Sequence, residues 1–341
     1  MDDVAIVGGG IMGLAAAWAI AKRGAAVTLV DPRPLLNDHN ASNDVSKIFR
    51  LAYGADKEMT LLAKRALPLW RDLERESGAS ILHPTGLALF GAANGFADQS
   101  ARTLLEMGEP VEVHERDVKE KFPAFSGVAR VVVDKQGGWL DPTAALGAFE
   151  LRAVAKGAKM RRGVGATRVE PGRVVLSSGE ELRARKVIVA AGFHAPRLVP
   201  ALRTRIRVTR QVELFFRAPE GAPAVPLFAA LEEGFYGFPP REGLVKVADH
   251  RKGPAVMNVE QRPPATREEE ATARAWLAKR IPTLAGAPLV SSRVCLYDNT
   301  PDDRFVLGEH AGLVLAAGFS GHGFKFAPAV GEILADLALR A

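Results

Sequence analysis

Three glycines, Gly8, Gly10 and Gly13, follow the apolar run Val4-Ala5-Ile6-Val7 in the pattern Gly-x-Gly-x-x-Gly. Each position has its own task. Gly8 permits a tight turn, Gly10 lets the backbone approach a diphosphate, and Gly13 allows a helix to pack closely on a strand. The free N–H groups and dipole of the helix that follows then hold the diphosphate. Asp31 closes a second apolar run, Ala26 to Val30. A carboxylate there accepts hydrogen bonds from both hydroxyls of a ribose and disfavours a 2′-phosphate, and so NADP. A glycine-rich turn without a ligand is the alternative. The full context of strand, glycines, helix, strand and acid favours the dinucleotide.

Five further positions carry chemistry-bearing side chains. Lys246 and His250 fall on one face of a strand read over 243–250, with Asp249 opposite. Read alone, that pair makes an ordinary polar strand edge. Arg50 follows a short apolar pair and suits a surface salt bridge. Lys325 lies between two phenylalanines in Gly-Phe-Ser-Gly-His-Gly-Phe-Lys-Phe, residues 318–326. Its glycines imply backbone packed against something flat or anionic, and the segment leads into a helix whose N-terminus favours anions. Cys295, the single cysteine, most simply reads as a small buried hydrophobe.

The elements that must position these groups are partly readable. Residues 14–22 form an Ala-rich helix stopped at Gly24. Apolar spacing predicts a helix over 58–77, with Pro68 as a kink. Strands are expected over 80–90, 129–134, 174–179, 208–216 and 228–250. Helices are expected over 143–156, with Thr143 as N-cap and Gly157 as stop, over 268–280, and over 327–339. The stretch 253–267 is polar and proline-bearing, hence a loop. Two strands far apart, 186–191 and 313–317, both run into Ala-Gly turns. The chain therefore does not continue as the regular β/α alternation of an NAD dehydrogenase. A domain assembled from separated segments suits a large extended dinucleotide such as FAD. The expected fold is α/β (mixed α+β): a Rossmann-like FAD-binding domain from 1–78, 140–206 and 294–341, interleaved with a sheet-rich substrate domain from 79–139 and 207–293.

With 341 residues, 48% apolar and 25% charged, the chain is long enough for a large core and for about two domains. One cysteine excludes an internal disulfide, a CxxC pair and a multi-cysteine zinc site. No metal site is expected. The net charge of +6 favours anionic ligands, but the basic residues are scattered. The densest runs, Arg161-Arg162 and 183–186, have no interleaved aromatics and read as solvated faces or strand edges, so no nucleic-acid partner is expected. Neither a signal segment nor a run of about 18 apolar residues is evident. The expectation is a cytoplasmic protein without a membrane partner, monomeric or a small homo-oligomer.

The sequence resembles monomeric sarcosine oxidase and its relatives within the D-amino acid oxidase-like flavoproteins. Beside the N-terminal glycine unit, the matches are Lys47-Ile48-Phe49-Arg50-Leu51-Ala52-Tyr53-Gly54, Tyr236-Gly237-Phe238-Pro239, the Lys246/His250 pair, Cys295-Leu296-Tyr297 with Thr300-Pro301-Asp302, and the 318–326 segment. They run from end to end of the chain. The resemblance implies FAD, attached through the Cys295 sulfur. It sets the cofactor against Gly8, Gly10, Ile11, Met12, Gly13 and Asp31, then Ser42, Ser46, Lys47, Val169, Ala191, Gly192 and Cys295, and against Gly318, Gly321, His322, Gly323, Phe324 and Lys325.

It also implies that Arg50 and Lys325 clamp a substrate carboxylate, which fixes the amine-bearing carbon against the flavin. Tyr236 and His250 would line the substrate pocket. Lys246 would promote the reaction with oxygen by stabilising developing superoxide. The implied partners are a small anionic amino acid and O2, and the implied reaction is oxidation of a secondary amine at its C–N bond, with hydrogen peroxide formed. A dehydrogenase passing electrons to a quinone or a partner protein is the alternative. A supporting FAD subunit without catalysis, and an NAD enzyme, are more distant ones. Two residues depart from the family pattern. Lys47 stands against the flavin face where sarcosine oxidases carry arginine, keeping the charge without the planar fork. Phe193 replaces a tryptophan after Ala191-Gly192. With a chain shorter than typical members, a trimmed pocket would suit another N-substituent, such as a cyclic imino acid or a sugar-derived N-alkyl amino acid.

Overall fold

A computed structural model describes residues 1–340. The apolar run at the N-terminus forms β1 (Asp2–Val7), the helix α1 (Ile11–Lys22) follows, and β2 (Val27–Asp31) lies parallel to β1 with Val4 opposite Val27 and Val7 opposite Val30. The sheet extends to both sides. Strand Glu181–Val189 lies parallel to β1, strand Lys159–Arg162 parallel to β2, and strand Leu313–Ala317 parallel to the end of 181–189. Three distant stretches of chain thus build one sheet.

α1 is buried from Ile11 to Ala21, all the way round. A helix apolar on every side needs cover on every side. The sheet covers one flank, and the helices Ala327–Leu339 and Pro142–Ala155 cover the others. Trp18 meets Phe149 edge-on, with 5.6 Å between ring centroids. Burial of side chains this large is worth about 1.5–3 kcal/mol each.

A second sheet runs in the order Leu289–Asn299, Arg207–Arg217, Leu244–Asp249, Phe235–Gly237, Phe228–Ala230, Leu87–Leu89, Val131–Asp134, Val111–His114. Alternation sorts its side chains. Val212, Leu214, Phe216, Val245 and Val247 pack with Trp276 and Leu277 of the helix Arg267–Arg280. The opposite face therefore carries Gln211, Glu213, Lys246, Cys295 and Tyr297. Register brings them together: Gln211 lies opposite Cys295, and Ala248 lies opposite both Glu213 and Tyr236. A small third sheet joins Lys47–Phe49, Gly138–Leu140 and Leu82–His83.

Several expectations need correction. The helix expected from Thr143 starts at Pro142 and is capped by Asp141, whose side chain accepts the Ala144 N–H at 3.0 Å. An acid at the cap with proline after it outcompetes the threonine two residues on. The expected boundary at residue 294 falls inside the strand Leu289–Asn299, which pairs with Arg207–Arg217 along its length. The strand expected over 80–90 is two short strands in different sheets, and the helix Phe96–Glu106 was not foreseen. No helix among the described residues is long and apolar enough to cross a membrane.

Candidate active site

A cavity of about 340 Å³ opens at the carboxyl ends of β1 and β2. Gly8, Gly10, Ile11 and Met12 line it at the start of α1, and Asp31 at the end of β2. Gly8 has φ +112°, a conformation that side chains rarely adopt, and a Cβ on Gly13 would run into the Gly8 carbonyl. Gly13 accordingly packs helix on strand and does not line the cavity. The loop is braced from outside. The Gly9 N–H donates to Asp31 Oδ2 at 2.6 Å, and the Ile11 N–H to Ser42 Oγ at 3.0 Å. No side chain caps α1 at Gly10 and no acid stands in its first turn. Apart from the Ile11 N–H, which Ser42 takes, the start of α1 and its dipole face the cavity without a compensating acid, as a diphosphate site requires.

The rest of this cavity is formed by Lys47, Ala191, Gly192, Cys295, Gly321, Gly323 and Phe324 among others. Val169 is not part of it. Its side chain is buried with Val7, Val30 and Val174 in the core beside the sheet. Gly318 contributes through its backbone: its N–H donates to Asp298 Oδ2 at 2.8 Å, and the Phe319 N–H to Oδ1 at 3.2 Å. Burial pushes the Asp298 carboxyl up to about 6, against the pull of those N–H groups. Asp298 thereby holds the turn in which Gly318, Ser320 and Gly321 all have positive φ. Cys295 is buried in the wall of the cavity, where burial and then the Glu213 charge push its thiol up to about 12.

A smaller cavity of about 70 Å³ adjoins the first, and Lys47, Tyr297, Gly321 and Phe324 line both. Ser46, Arg50, Tyr236, His250, His322 and Lys325 belong to this one. Arg50 and Lys325 are only 7% and 5% exposed. The Arg50 guanidinium lies 3.9 Å from the Tyr53 ring centroid and donates to the Ala52 carbonyl. Lys325 Nζ donates to the His322 carbonyl at 2.8 Å. Among the described residues, neither cation pairs with a carboxylate. Burial, then the Arg50 and Lys47 charges, pull Lys325 well below the ordinary lysine range. Burial followed by the two cations of this cavity, Arg50 and Lys325, holds His250 down at about 4, so its imidazole is neutral. Burial pushes the Tyr236 and Tyr297 phenols up.

The frame behind these groups is charged. Lys246 is 2% exposed and lines neither cavity. It is no solvent-facing edge. Its Nζ lies 2.6 Å from Asp44 Oδ2 and 2.8 Å from Glu213 Oε1. Asp44 Oδ2 also meets Lys47 Nζ at 2.9 Å. Burial opposes the charge on Asp44, but the two lysines outweigh it and hold the carboxyl far below its usual range. Asp134, likewise buried, accepts the Leu51 and Ala52 N–H groups and fixes the backbone after Arg50. Asp44, Glu213, Asp134 and Asp298 were all missed by sequence reasoning. The local signal is an acid within an apolar run at Glu213 and one closing an apolar run at Asp134 and Asp298; Asp44, in a polar stretch, has none.

Residues 3–337 match the family described as FAD dependent oxidoreductase. The chain belongs to that family. This oxidoreductase is 32% identical to a monomeric sarcosine oxidase of Bacillus sp. (strain B-0618), over 99% of this chain and 92% of that protein. It is 30% identical to the peroxisomal sarcosine oxidase of Mus musculus, over 99% and 92%. Among solved structures it resembles NikD, described as an unusual amino acid oxidase essential for nikkomycin biosynthesis, with a TM-score of 0.84 and 26% identity over 99% and 94% of the two chains. It is an FAD-dependent oxidoreductase of CH–NH donors. The larger cavity fits the cofactor: glycine backbone, the start of α1 and Asp31 suit its diphosphate and ribose end, Cys295 stands in its wall, and Lys47 and Phe324 also line the smaller cavity.

Proposed function

We propose that the chain oxidises a small amino acid at the C–N bond of a secondary amine, with O2 as electron acceptor. The observation that carries this reading is the pair Arg50 and Lys325, two buried cations without a carboxylate partner in one small cavity. Unpaired buried charge is costly, and an anionic ligand removes the cost. A carboxylate held by both cations presents the neighbouring amine-bearing carbon at a fixed place, the proximity contribution. The same cations favour the neutral form of the amine, which has the free electron pair that C–N oxidation uses. Tyr236, Tyr297 and neutral His250 add polar shape without charge. When bound, FAD supplies the two-electron oxidant for this bond and delivers the electrons to O2 as hydrogen peroxide. The C=N product hydrolyses in water. The sarcosine oxidase relatives support an N-methyl or similar N-alkyl substrate.

A panel of N-methyl, N-alkyl and cyclic amino acids, assayed for O2 uptake and peroxide, tests this. The expected result is equimolar peroxide from secondary amines, lost in Arg50→Ala. Turnover of primary amines alone would overturn the secondary-amine assignment.

A second reading, with an acceptor other than O2, is favoured by Lys246. Its charge is already engaged by Asp44 and Glu213, which lessens its effect on a developing anion. Rapid turnover with an artificial dye and little O2 uptake would decide for that reading.

A further inference from the structure

Glu213 is 2% exposed, in the middle of the strand Arg207–Arg217. One carboxylate oxygen, Oε1, receives Lys246. The other, Oε2, is buried and has no hydrogen-bond partner among the described residues. A buried carboxylate oxygen without a donor is an unusual and costly feature. Its surroundings explain it. Glu213 lines the smaller cavity, together with Arg50, Lys325, Tyr236 and His250. The cavity therefore holds two cations without a carboxylate partner and one carboxylate oxygen without a donor. That is the complement of an amino acid, with a carboxylate at one end and an amine N–H at the other.

We propose that Glu213 is the substrate-binding residue for the amino group: Oε2 accepts an N–H of the substrate amine while Arg50 and Lys325 hold its carboxylate. This rests on the carboxylate-clamp reading above and deepens it. The ligand class is an α-amino acid that keeps at least one N–H. Lys246 and Asp44 act as positioning residues. Lys246 holds Oε1 and Asp44 holds Lys246, which leaves Oε2 as the oxygen free for the ligand.

The test is binding, with the absorbance of the bound flavin as reporter. 2-Aminoisobutyrate and pivalate have the same shape, with an ammonium in one where the other has a methyl. 2-Aminoisobutyrate has no hydrogen on its α-carbon, so that carbon cannot be oxidised. In the native holoenzyme, 2-aminoisobutyrate should bind at least about tenfold more tightly than pivalate, as a charge-assisted hydrogen bond requires. In Glu213→Gln that preference should collapse, with pivalate affinity unchanged within about twofold. A preference that survives Glu213→Gln overturns the assignment, as does an equal loss of both ligands. Should the variant not retain FAD, the native preference decides alone: pivalate binding as well as 2-aminoisobutyrate overturns it. Binding of neither ligand to the native enzyme overturns the carboxylate clamp and this assignment together. Pivalate binding without amine preference overturns Glu213 only.

Discussion

Lys47 and Lys246, almost two hundred residues apart, meet the same oxygen of Asp44, at 2.9 and 2.6 Å. The strand Leu244–Asp249 delivers Lys246, and the short strand Lys47–Phe49 delivers Lys47, with Asp44 in the loop before it. Asp44 is the only carboxylate Lys47 pairs with among the described residues.

Removing that oxygen's charge should be costly. Asp44→Asn leaves Lys246 with Glu213 alone and Lys47 without a carboxylate partner among the described residues. A loss of about 3–5 kcal/mol is expected, the usual consequence of deleting one partner of a buried pair. Thermal and urea unfolding of the holoenzyme measure it. A change under about 0.5 kcal/mol, the range of ordinary surface substitutions, would mean that the bridge contributes nothing.

Lys325→Met should separate stability from binding. The native lysine is buried beside Arg50 and has no carboxylate partner among the described residues, so an apolar side chain there is expected to leave stability unchanged or raise it. Carboxylate affinity should fall about 10- to 100-fold with the lost charge-assisted bond. Ligand titration and unfolding on the same preparation check both halves. Lost stability with unchanged affinity would contradict the clamp.

The pH dependence of carboxylate binding has a defined sign. The Lys325 pKa lies well below the ordinary lysine value, and in the proposed clamp the charged form binds the ligand. Affinity is therefore full below that pKa and falls as pH rises through it. Above it, binding takes up a proton, because the carboxylate raises the lysine pKa. Calorimetry in two buffers of different ionisation heat detects the uptake. Lys325→Met should abolish it. His250, held near 4, should add no step between about pH 5 and 8.

Cys295 lines the cofactor cavity, where burial and then the Glu213 charge push its thiol up to about 12 against the pull of Lys47. The resemblance to the sarcosine oxidases still predicts a covalent thioether to the flavin. After acid precipitation, yellow colour should stay with the protein pellet, and Cys295→Ser should release it to the supernatant. Colour in the supernatant of the native protein would leave Cys295 as a packing residue.

The local parts of this enzyme are written in its sequence. β1, α1 and β2 follow from apolar runs, three glycines and one acid, because turn geometry and helix–strand contact depend on near neighbours. The segment 318–326 and the final helix, found at Ala327–Leu339, are legible for the same reason. Lys246 and His250 on one strand face follow from the two-residue period alone. What a side chain meets across a sheet does not. Strand register sets Glu213, Cys295 and Tyr236 on a common face, and a loop residue 202 positions distant turns Lys246 from a polar edge residue into a buried ion pair. The free oxygen of Glu213 and the missing partners of Arg50 and Lys325 exist only once the chain has closed around them. Burial and pairing are properties of the whole fold, and they give the same residue types a different chemistry from the one their spacing suggests.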